Sequence, residues 1–249
     1  YISDYFTINS KKIYIHHDIY DTPIVSQDKI YQLRKRLMNY DNILVPSNIS
    51  LNFFSKLFKN FKKKLNIFEL GYIKLDILRK KKSFNYRNKK KSIIIAPTNI
   101  YSFKDLTLKE QIENIIIILL TKTNFDIILR PHPSNRNDIF FNKIIKKFNK
   151  YKKFHYDKSD NYQNIYMKSS LLITDISGTA YTYAFLTNNP VIFYVNSEKK
   201  LKQLNYENLS YFKDRNKIGT TVNSSNNLVK TIKNVIKNAN NISKKINLL

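Results

Sequence analysis

The chain has 249 residues, 42% of them hydrophobic, which is enough for one large domain or two small domains with real cores. It contains no cysteine, so a disulfide framework, thiol catalysis and thiolate metal sites are excluded. A formal net charge of +26 favours polyanionic partners, such as nucleic acid, anionic lipid headgroups or phosphorylated polymers.

Short strands alternate with helices in the first third of the chain. The apolar periodicity predicts a strand at Lys12–His16, a helix at Lys29–Asn39, a strand at Asn42–Val45, a helix from a Ser47 cap to about Phe58, and a strand at Ile67–Glu69. The stretch Arg79–Lys91 is basic and has no periodicity, so we predict that it is a linker.

The same alternation continues after this stretch, with more strongly apolar strands. We predict strands at Ser92–Ala96, Phe125–Leu129, near Phe154, Leu171–Thr174 and Val191–Tyr194, and helices at Leu106–Thr121, Arg136–Asn149, Tyr162–Met167, Thr179–Leu186 and from about Leu228. Such a pattern implies parallel sheets covered on both faces. We therefore predict an α/β protein with two doubly wound, Rossmann-like domains facing a cleft, residues 1–85 with the linker and residues 86–249.

The segment Leu171–Ala180 contains the first candidate site. A buried strand ends near Asp175, and a tight turn through Ser177, Gly178 and Thr179 opens a helix. Free backbone N–H groups and partial positive charge gather at a helix N-terminus, where an anion can bind. The turn therefore predicts a phosphate-bearing ligand, although a hydroxyl that only caps its own helix is the alternative.

A second candidate directly follows the strand Phe125–Leu129. Prolines on both sides of His132 restrict the backbone, and Arg130 lies two residues earlier. Arginine offers a fork of donors for phosphate oxygens, and histidine can donate a hydrogen bond or move a proton. The alternative is a rigid turn with a surface histidine.

A third candidate is the pair His16 and His17 at the end of the first strand, close to Asp18 and Asp21. A carboxylate beside an imidazole can orient a general base. A divalent metal is the weaker alternative, because no suitably spaced partner completes a ligand set, and we predict no metal site.

Charge and hydropathy also bear on location. No apolar run reaches the roughly 18–20 residues that span a bilayer, and no signal peptide is visible, which favours the cytoplasm. Lysine clusters at Lys62–Lys64, Arg79–Lys82 and Lys89–Lys91 carry no nucleic-acid-binding signature. Solvated loops are one interpretation of them. The functional interpretation is peripheral attachment to an anionic membrane surface, on its inner face, and no nucleic-acid partner.

The order of these motifs resembles the CDP-glycerol glycerophosphotransferase family, the teichoic-acid-type polymerases and primases. The resemblance runs from about Lys12 to Tyr194 and rests on short segments: His16–His17 with Thr22–Pro23, Asn42–Ser47, Leu70–Asp76, Ile95–Thr98, Arg130–Pro133, Ile173–Thr179 and Pro190–Tyr194.

The resemblance implies a GT-B-like fold with the active site in the interdomain cleft. It implies that His16 or His17 and His132 are catalytic, and that Arg130, Ser177, Gly178 and Thr179 hold the donor phosphates. We expect Pro97, Thr98 and Asp175 to be further donor-binding positions, with no tightly bound cofactor besides a CDP-linked donor substrate.

The chain departs from the family pattern in two places. Asp18–Asp21 separates His17 from Thr22–Pro23, where the family has a tight segment, so the choice between His16 and His17 stays open. Asn99 follows Thr98 where the family tends to carry an arginine, so the transferred group stays open too. The first domain is short for the family, and we expect it to be partial.

The resulting prediction is a transferase that moves glycerol phosphate or a related phosphopolyol to a polymeric or lipid-linked cell-surface acceptor. The alternative enzyme is a GT-B nucleotide-sugar glycosyltransferase of capsule or lipooligosaccharide synthesis. A sugar-nucleotide epimerase is less favoured, because the expected carboxylate pair is not visible. A basic nucleic-acid-binding module is the alternative from another class.

Overall fold

The computed structural model describes residues 10–20, 33–60, 65–80, 91–102 and 105–249. The chain divides into two compact units, Tyr1–Ile77 and Leu78–Leu249. Several predicted features lie partly or wholly outside the described residues: the start of the helix at Lys29–Asn39, the Thr22–Pro23 segment, the Lys62–Lys64 and Lys89–Lys91 clusters, and most of the predicted linker.

The first unit contains a three-stranded parallel sheet in the order β1-β2-β3. Its elements are β1 (Ile13–Ile15), β2 (Asn42–Val45), α1 (Asn48–Phe58), β3 (Asn66–Glu69) and most of α2 (Ile73–Lys80), whose last three residues belong to the second unit. Residues 33–37 are helical. Ser47 caps α1 as predicted, because its Oγ accepts the Ser50 amide N–H at 3.2 Å. The linker prediction was wrong for Arg79 and Lys80, which end helix α2.

One apolar face of this small sheet packs on α1. Every second residue of a strand points to the same face, so Ile43 and Val45 of β2 lie together in the core. Phe54, Leu57 and Phe58, spaced three and four residues apart on α1, cover them. Beyond β1, the His16 amide N–H donates to the Leu44 carbonyl at 2.8 Å. This bond holds the first histidine against the carboxyl end of β2.

The second unit contains a six-stranded parallel sheet in the order β6-β5-β4-β7-β8-β9. Its strands are β4 (Ser92–Ile95), β5 (Asp126–Leu129), β6 (Phe154–Tyr156), β7 (Leu171–Thr174), β8 (Val191–Tyr194) and β9 (Gly219–Val222). Its helices are α3 (Ile112–Lys122), α4 (Ile139–Phe148), α5 (Gln163–Lys168), α6 (Thr179–Thr187), α7 (Glu198–Gln203), α8 (Ser210–Lys213), α9 (Arg215–Ile218), α10 (Leu228–Lys237) and α11 (Ala239–Ile246).

Helices cover both faces of this sheet, as expected for fully buried parallel strands. Ile93 and Ile95 of β4 belong to a core that includes Ile115 of α3 and Ile232 of α10. Aromatic side chains pack elsewhere around the sheet, where the Tyr211 ring contacts the rings of Tyr181, Phe193 and Phe212. The predicted fold class, an α/β protein with parallel sheets, is confirmed.

The region between β8 and α10 was not predicted. It contains α7, α8 and α9, each of four to six residues, and the edge strand β9. Short helices give too few turns for a visible periodicity, and three of the four residues of β9 are glycine or threonine. The strand is recognised only through its parallel pairing with β8.

Candidate functional site

Three loops meet the carboxyl edge of the six-stranded sheet around its centre. They follow β4, β5 and β7 and contain Pro97–Thr98, Arg130–Pro133 and Asp175–Thr179. The chain adds β5 and β6 on one side of β4, then returns to place β7 and β8 on the other side. In doubly wound sheets, ligands bind at this reversal, outside the carboxyl ends of the strands. The sequence-predicted donor-binding residues therefore come from the loops at the reversal.

The turn after β7 presents unpaired amide groups. Among the described residues, the backbone N–H groups of Ser177, Gly178 and Thr179 have no acceptor, although the Ser177 carbonyl accepts from Ala180 N–H at 3.1 Å and from the Tyr211 hydroxyl at 2.9 Å. These amides open α6, where the helix dipole favours negative charge. Gly178 has φ −58° and ψ −19°, so its backbone conformation does not require glycine. This turn can bind an anion such as a phosphate.

The Thr179 hydroxyl is fixed by a neighbour that sequence reasoning missed. Its Oγ1 lies 2.5 Å from the hydroxyl oxygen of Tyr166 on α5. Burial raises the pKa of Tyr166 to about 12, so the phenol stays protonated and can donate. The Tyr166 ring in turn packs on Tyr162 at a centroid distance of 4.8 Å. Nothing in the local sequence around Tyr166 marks it as part of this site.

The Asp175 carboxylate binds main-chain amide groups, whereas a contact with the donor was expected for it. Its buried carboxylate accepts the amide N–H of Thr98 at 2.9 Å, of Leu108 at 2.9 Å and of Ile176 at 2.8 Å. Burial raises the pKa of Asp175 to about 6, and these amide bonds work against the shift. Because both oxygens are occupied by the main chain, Asp175 ties the β4 and β7 loops together. Pro97 is buried beside this tie.

Arg130 is held in place by an acidic partner. Its Nη1 forms a buried ion pair with the Asp157 carboxylate and donates to Ser159 Oγ at 3.4 Å. The guanidinium carbon lies 5.8 Å from the centre of the Tyr162 ring. Within the described chain, all its side-chain hydrogen bonds come from Nη1, which leaves Nε and Nη2 for a ligand. Asp157 was missed, although its position directly after β6 was a usable signal.

His132 is exposed at the tip of the β5 loop. Its Nδ1 accepts the Ser134 amide N–H at 3.3 Å and lies 2.7 Å from the Ser134 hydroxyl oxygen. The ring therefore caps the short turn Pro133–Asn135 and is oriented by it. The structure places this imidazole on the same sheet edge as Arg130, two residues away.

In the first unit, the two candidate histidines have different environments. The His16 ring is 4% exposed and packs edge-on against Phe54 at 4.8 Å, with Nδ1 3.3 Å from the Tyr14 hydroxyl. Burial, and secondarily the neighbouring His17, lowers the pKa of His16 to about 3. A ring with that pKa stays neutral and is a weak base. His16 is thus suited to packing.

His17 is open to solvent and has an acidic neighbour. Its side chain is 80% exposed, and its Nε2 lies 3.9 Å from the Asp18 carboxylate. Burial raises the pKa of Asp18, while the neighbouring His17 works in the opposite direction. An accessible imidazole beside a carboxylate is the arrangement that general-base catalysis requires.

Both histidines line a cavity of about 200 Å³ inside the first unit. Its other walls come from the ends of β1 and β2, the loops after β2 and β3, and the start of α2: Ile15, Leu44, Val45, Pro46, Leu70, Gly71, Tyr72, Ile73 and Lys74. Gly71 has φ +82°, a left-handed conformation that side-chain-bearing residues rarely adopt. The lining of this cavity is mostly apolar, and the two histidine rings are among its few polar groups.

A metal centre finds no support in the described residues. They contain no group of three or more His, Asp or Glu side chains that could hold an ion. Separately, none of the helices in the described ranges is long and apolar enough to cross a membrane.

Comparison with known proteins identifies relatives of the chain. The family model described as CDP-Glycerol:Poly(glycerophosphate) glycerophosphotransferase matches residues 14–249. No curated protein sequence matches the chain. A structure of the wall teichoic acid polymerase TagF is similar with a TM-score of 0.60 and 21% identity, over 97% of this chain and 63% of that one. The chain thus spans less than two thirds of the TagF structure.

More distant enzymes share the fold. The UDP-GlcNAc 2-epimerase from Methanocaldococcus jannaschii has a TM-score of 0.53 at 13% identity, over 87% of this chain and 62% of its own. The pneumococcal O-GlcNAc transferase GtfA has a TM-score of 0.50 at 9% identity, over 94% and 49%. At such low identities these likenesses establish the GT-B-like fold and nothing about the reaction.

Proposed function

The chain belongs to the CDP-glycerol:poly(glycerophosphate) glycerophosphotransferase family, and from this premise we propose that it transfers glycerol phosphate or a related phosphopolyol. The donor is a CDP-linked phosphopolyol, and the acceptor is a hydroxyl group of a teichoic-acid-like polymer or its lipid-linked precursor. The observation that carries the proposal is the cluster of free amides, a guanidinium and an imidazole in loops at the reversal of the sheet.

The donor diphosphate is proposed to occupy the turn after β7. The N–H groups of Ser177, Gly178 and Thr179, which have no acceptor among the described residues, offer hydrogen bonds to phosphate oxygens. The remaining donors of Arg130 add a positive charge, and Asp157 and Tyr162 keep the guanidinium in place. Asp175 acts indirectly, because it holds Thr98 beside the turn.

The proposed reaction is an in-line displacement at the β-phosphorus of the donor. The acceptor oxygen forms a bond to this phosphorus, and the bond to the oxygen that bridges the two phosphates breaks. CMP leaves with the bonding electron pair, and a phosphodiester to the acceptor is formed. Charge on the transferring and leaving phosphates is stabilised by Arg130, His132 and the turn amides.

His17 is proposed to take the proton from the acceptor hydroxyl. It is the exposed member of the pair and has Asp18 beside it, whereas the pKa of about 3 disqualifies His16 as a base near neutral pH. His16 instead packs against Phe54 under the cavity and supports the backbone that presents His17.

We further propose an anionic membrane surface as a partner and the cytoplasmic, inner face of the membrane as the location of the chain. A cavity of about 680 Å³ lies between the end of α3 and α10, at the amino edge of the sheet. Its floor includes Phe125 and Ile236, and its rim carries Lys122, Lys233 and Lys237, which form no ion pair with described residues. A basic rim around apolar side chains suits anionic phospholipid.

Nucleotide binding tests the donor site. CDP should raise the melting temperature of the full chain, with a stabilisation of about 2.7 kcal/mol at a hundredfold excess over its dissociation constant. Ser177→Ala should retain the shift, because its amide remains, while Gly178→Val should reduce it by crowding the turn. A folded chain that responds to no nucleotide would exclude the donor site.

The nucleobase separates this proposal from sugar transfer. Stabilisation by CDP in preference to UDP and GDP supports a CDP-linked donor, and formation of CMP from CDP-glycerol with a glycerol-phosphate acceptor supports the reaction. Preference for UDP or GDP, with no CMP release, would instead favour a nucleotide-sugar glycosyltransferase.

A further inference from the structure

We propose that Asn99 and Ser134 are positioning residues that hold the neutral His132 ring with its proton on Nε2. The three residues come from two different loops, after β4 and after β5, and form a directional chain of hydrogen bonds. The catalytic consequence rests on the proposed function, whereas the hydrogen-bond chain itself does not.

The direction of the chain is set by a backbone donor at its far end. The Tyr101 amide N–H donates to Asn99 Oδ1 at 3.0 Å, and an amide N–H can only donate. The Asn99 side chain is therefore oriented with its Nδ2 toward Ser134, whose Oγ accepts from it at 2.9 Å. Having accepted this bond, the Ser134 hydroxyl can direct its own proton elsewhere.

The other end of the chain is Nδ1 of His132. The Ser134 Oγ lies 2.7 Å from this nitrogen, and the Ser134 amide N–H also donates to it at 3.3 Å. Two donors from one residue make Nδ1 an acceptor, so the proton of the neutral imidazole is on Nε2. The tautomer thus follows from the direction of the chain, which Asn99 sets through the Ser134 hydroxyl.

A second hydrogen bond joins the same two loops. The Ile100 amide N–H donates to Oδ1 of the buried Asn135 at 3.1 Å. Ile100 directly follows Asn99 in the first loop, and Asn135 directly follows Ser134 in the second. The Asn99–Ser134 contact is therefore part of a fixed junction between the loops.

The tautomer decides what His132 can do. With its proton on Nε2, the ring donates a hydrogen bond through Nε2 to an anionic oxygen and stabilises the charge that develops on a phosphate in the transition state. In this state Nε2 cannot accept a proton from the acceptor hydroxyl. The two loops therefore assign His132 to charge stabilisation at the phosphates and not to activation of the acceptor hydroxyl.

Nitrogen NMR of the full chain labelled with ¹⁵N-histidine tests the tautomer without any substrate. The chain has four histidines, and His132→Gln identifies the signals of His132 by their loss. At about pH 8, above the ordinary histidine pKa, the wild type should show an unprotonated Nδ1 and a protonated Nε2 for this ring.

Asn99→Asp should reverse the chain, because a carboxylate accepts the Ser134 proton and the Ser134 oxygen must then accept from His132 Nδ1–H. A substantial Nδ1-protonated population is expected in this variant. Asn137→Asp makes the same charge change at an exposed position of the β5 loop and should keep the wild-type pattern. The same His132 signals in wild type and Asn99→Asp would overturn the proposal.

Turnover with CDP-glycerol gives the second measurement. Ser134→Ala and Asn99→Asp should lower kcat by roughly ten- to a hundredfold, by analogy with the outer-shell residues that orient metal-binding histidines. The donor KM should change less, and Ser134→Thr, which keeps a hydroxyl, should restore most of the rate. Unchanged kcat in a variant with a shifted tautomer would overturn the catalytic consequence, while CDP binding would still report on the donor site.

Discussion

His16 and His17 are adjacent in the chain, but their side chains lie in different environments. The first packs on Phe54 and is 4% exposed, whereas the second has an 80% exposed side chain near Asp18. Because burial lowers the pKa of His16 in the folded chain, this ring binds a proton at a higher pH in the unfolded chain than in the folded chain. Its contribution to stability is therefore complete above about pH 6.5 and lost as the pH falls toward 3.

Replacement of each histidine should separate the two roles. His17→Ala should lower turnover by about two to four orders of magnitude with little change in melting temperature, because its side chain is exposed. His16→Ala should lower the stability of the first unit by a few kcal/mol, because it leaves a cavity beside Phe54. Paired turnover and urea unfolding measurements decide this, and wild-type turnover in His17→Ala would place the base elsewhere.

Asp175 should make stability depend on pH in the opposite sense from a paired surface carboxylate. Its pKa is raised to about 6 in the folded chain, so between about pH 4 and 6 only the unfolded chain ionises. The contribution of Asp175 to stability is therefore fully present below about pH 4 and is lost as the pH rises through 6, by on the order of 3 kcal/mol. Urea unfolding of wild type and Asp175→Asn from pH 4 to 7 isolates this effect, and parallel profiles would contradict it.

At the scale of elements, the edge strand β9 depends on its first residue. Gly219 pairs with Val191 of β8, and a Cβ atom at this position would lie 1.8 Å from the Val191 carbonyl oxygen. Its φ of 176° is ordinary extended backbone, so the requirement for glycine is the close approach of two strands. The strand β9 leads into α10, which packs on the sheet and forms one wall of the basic cavity.

Gly219→Ala should therefore destabilise the second unit, since backbone atoms must move to admit one methyl group. We expect a loss of roughly 1–3 kcal/mol, the range typical of overpacked positions. Thr220→Ala, the next residue of the same strand, is a matched control and should cost less. Thermal unfolding measures both variants, and an unchanged melting temperature for Gly219→Ala would show that β8 and β9 can separate freely at this point.

At the scale of the whole molecule, the two edges of the six-stranded sheet carry two separate candidate binding surfaces for anions. The carboxyl edge holds the loops with His132 and Ser177, and the amino edge holds the basic cavity with Lys233 and Lys237. A net charge of +26 adds a long-range attraction to any anionic surface, and salt screens that attraction. The charge alone therefore does not distinguish the cavity from other lysine-bearing surfaces.

Vesicle binding locates the contact. The chain should co-sediment with anionic but not neutral liposomes, and less so at physiological than at low salt. The double change Lys233→Glu and Lys237→Glu should weaken binding by more than the roughly 1 kcal/mol associated with each basic residue. Lys143→Glu with Lys146→Glu makes the same change in charge on α4. Equal weakening by both pairs would mean that the cavity is not the lipid contact.

The sequence alone determined the elements whose signals are local. Continuous apolar runs at β4, β7 and β8 and the Ser47 cap of α1 depend on residues a few positions apart, so each was predicted at or near its observed bounds. The family could also be recognised from the sequence, because its motifs are short segments of neighbouring residues in a fixed order. Only the tertiary structure decided the strand order, which joins Asp175 to Thr98 across 77 positions.

The same limit applies to the site residues. Burial of His16, the pairing of Arg130 with Asp157 and the Asn99–Ser134–His132 chain all join residues that the fold brings together. The sequence named the histidines and the arginine, because residue type suggests chemistry. It could not assign their roles, because protonation and orientation depend on desolvation and on hydrogen-bond partners from distant segments.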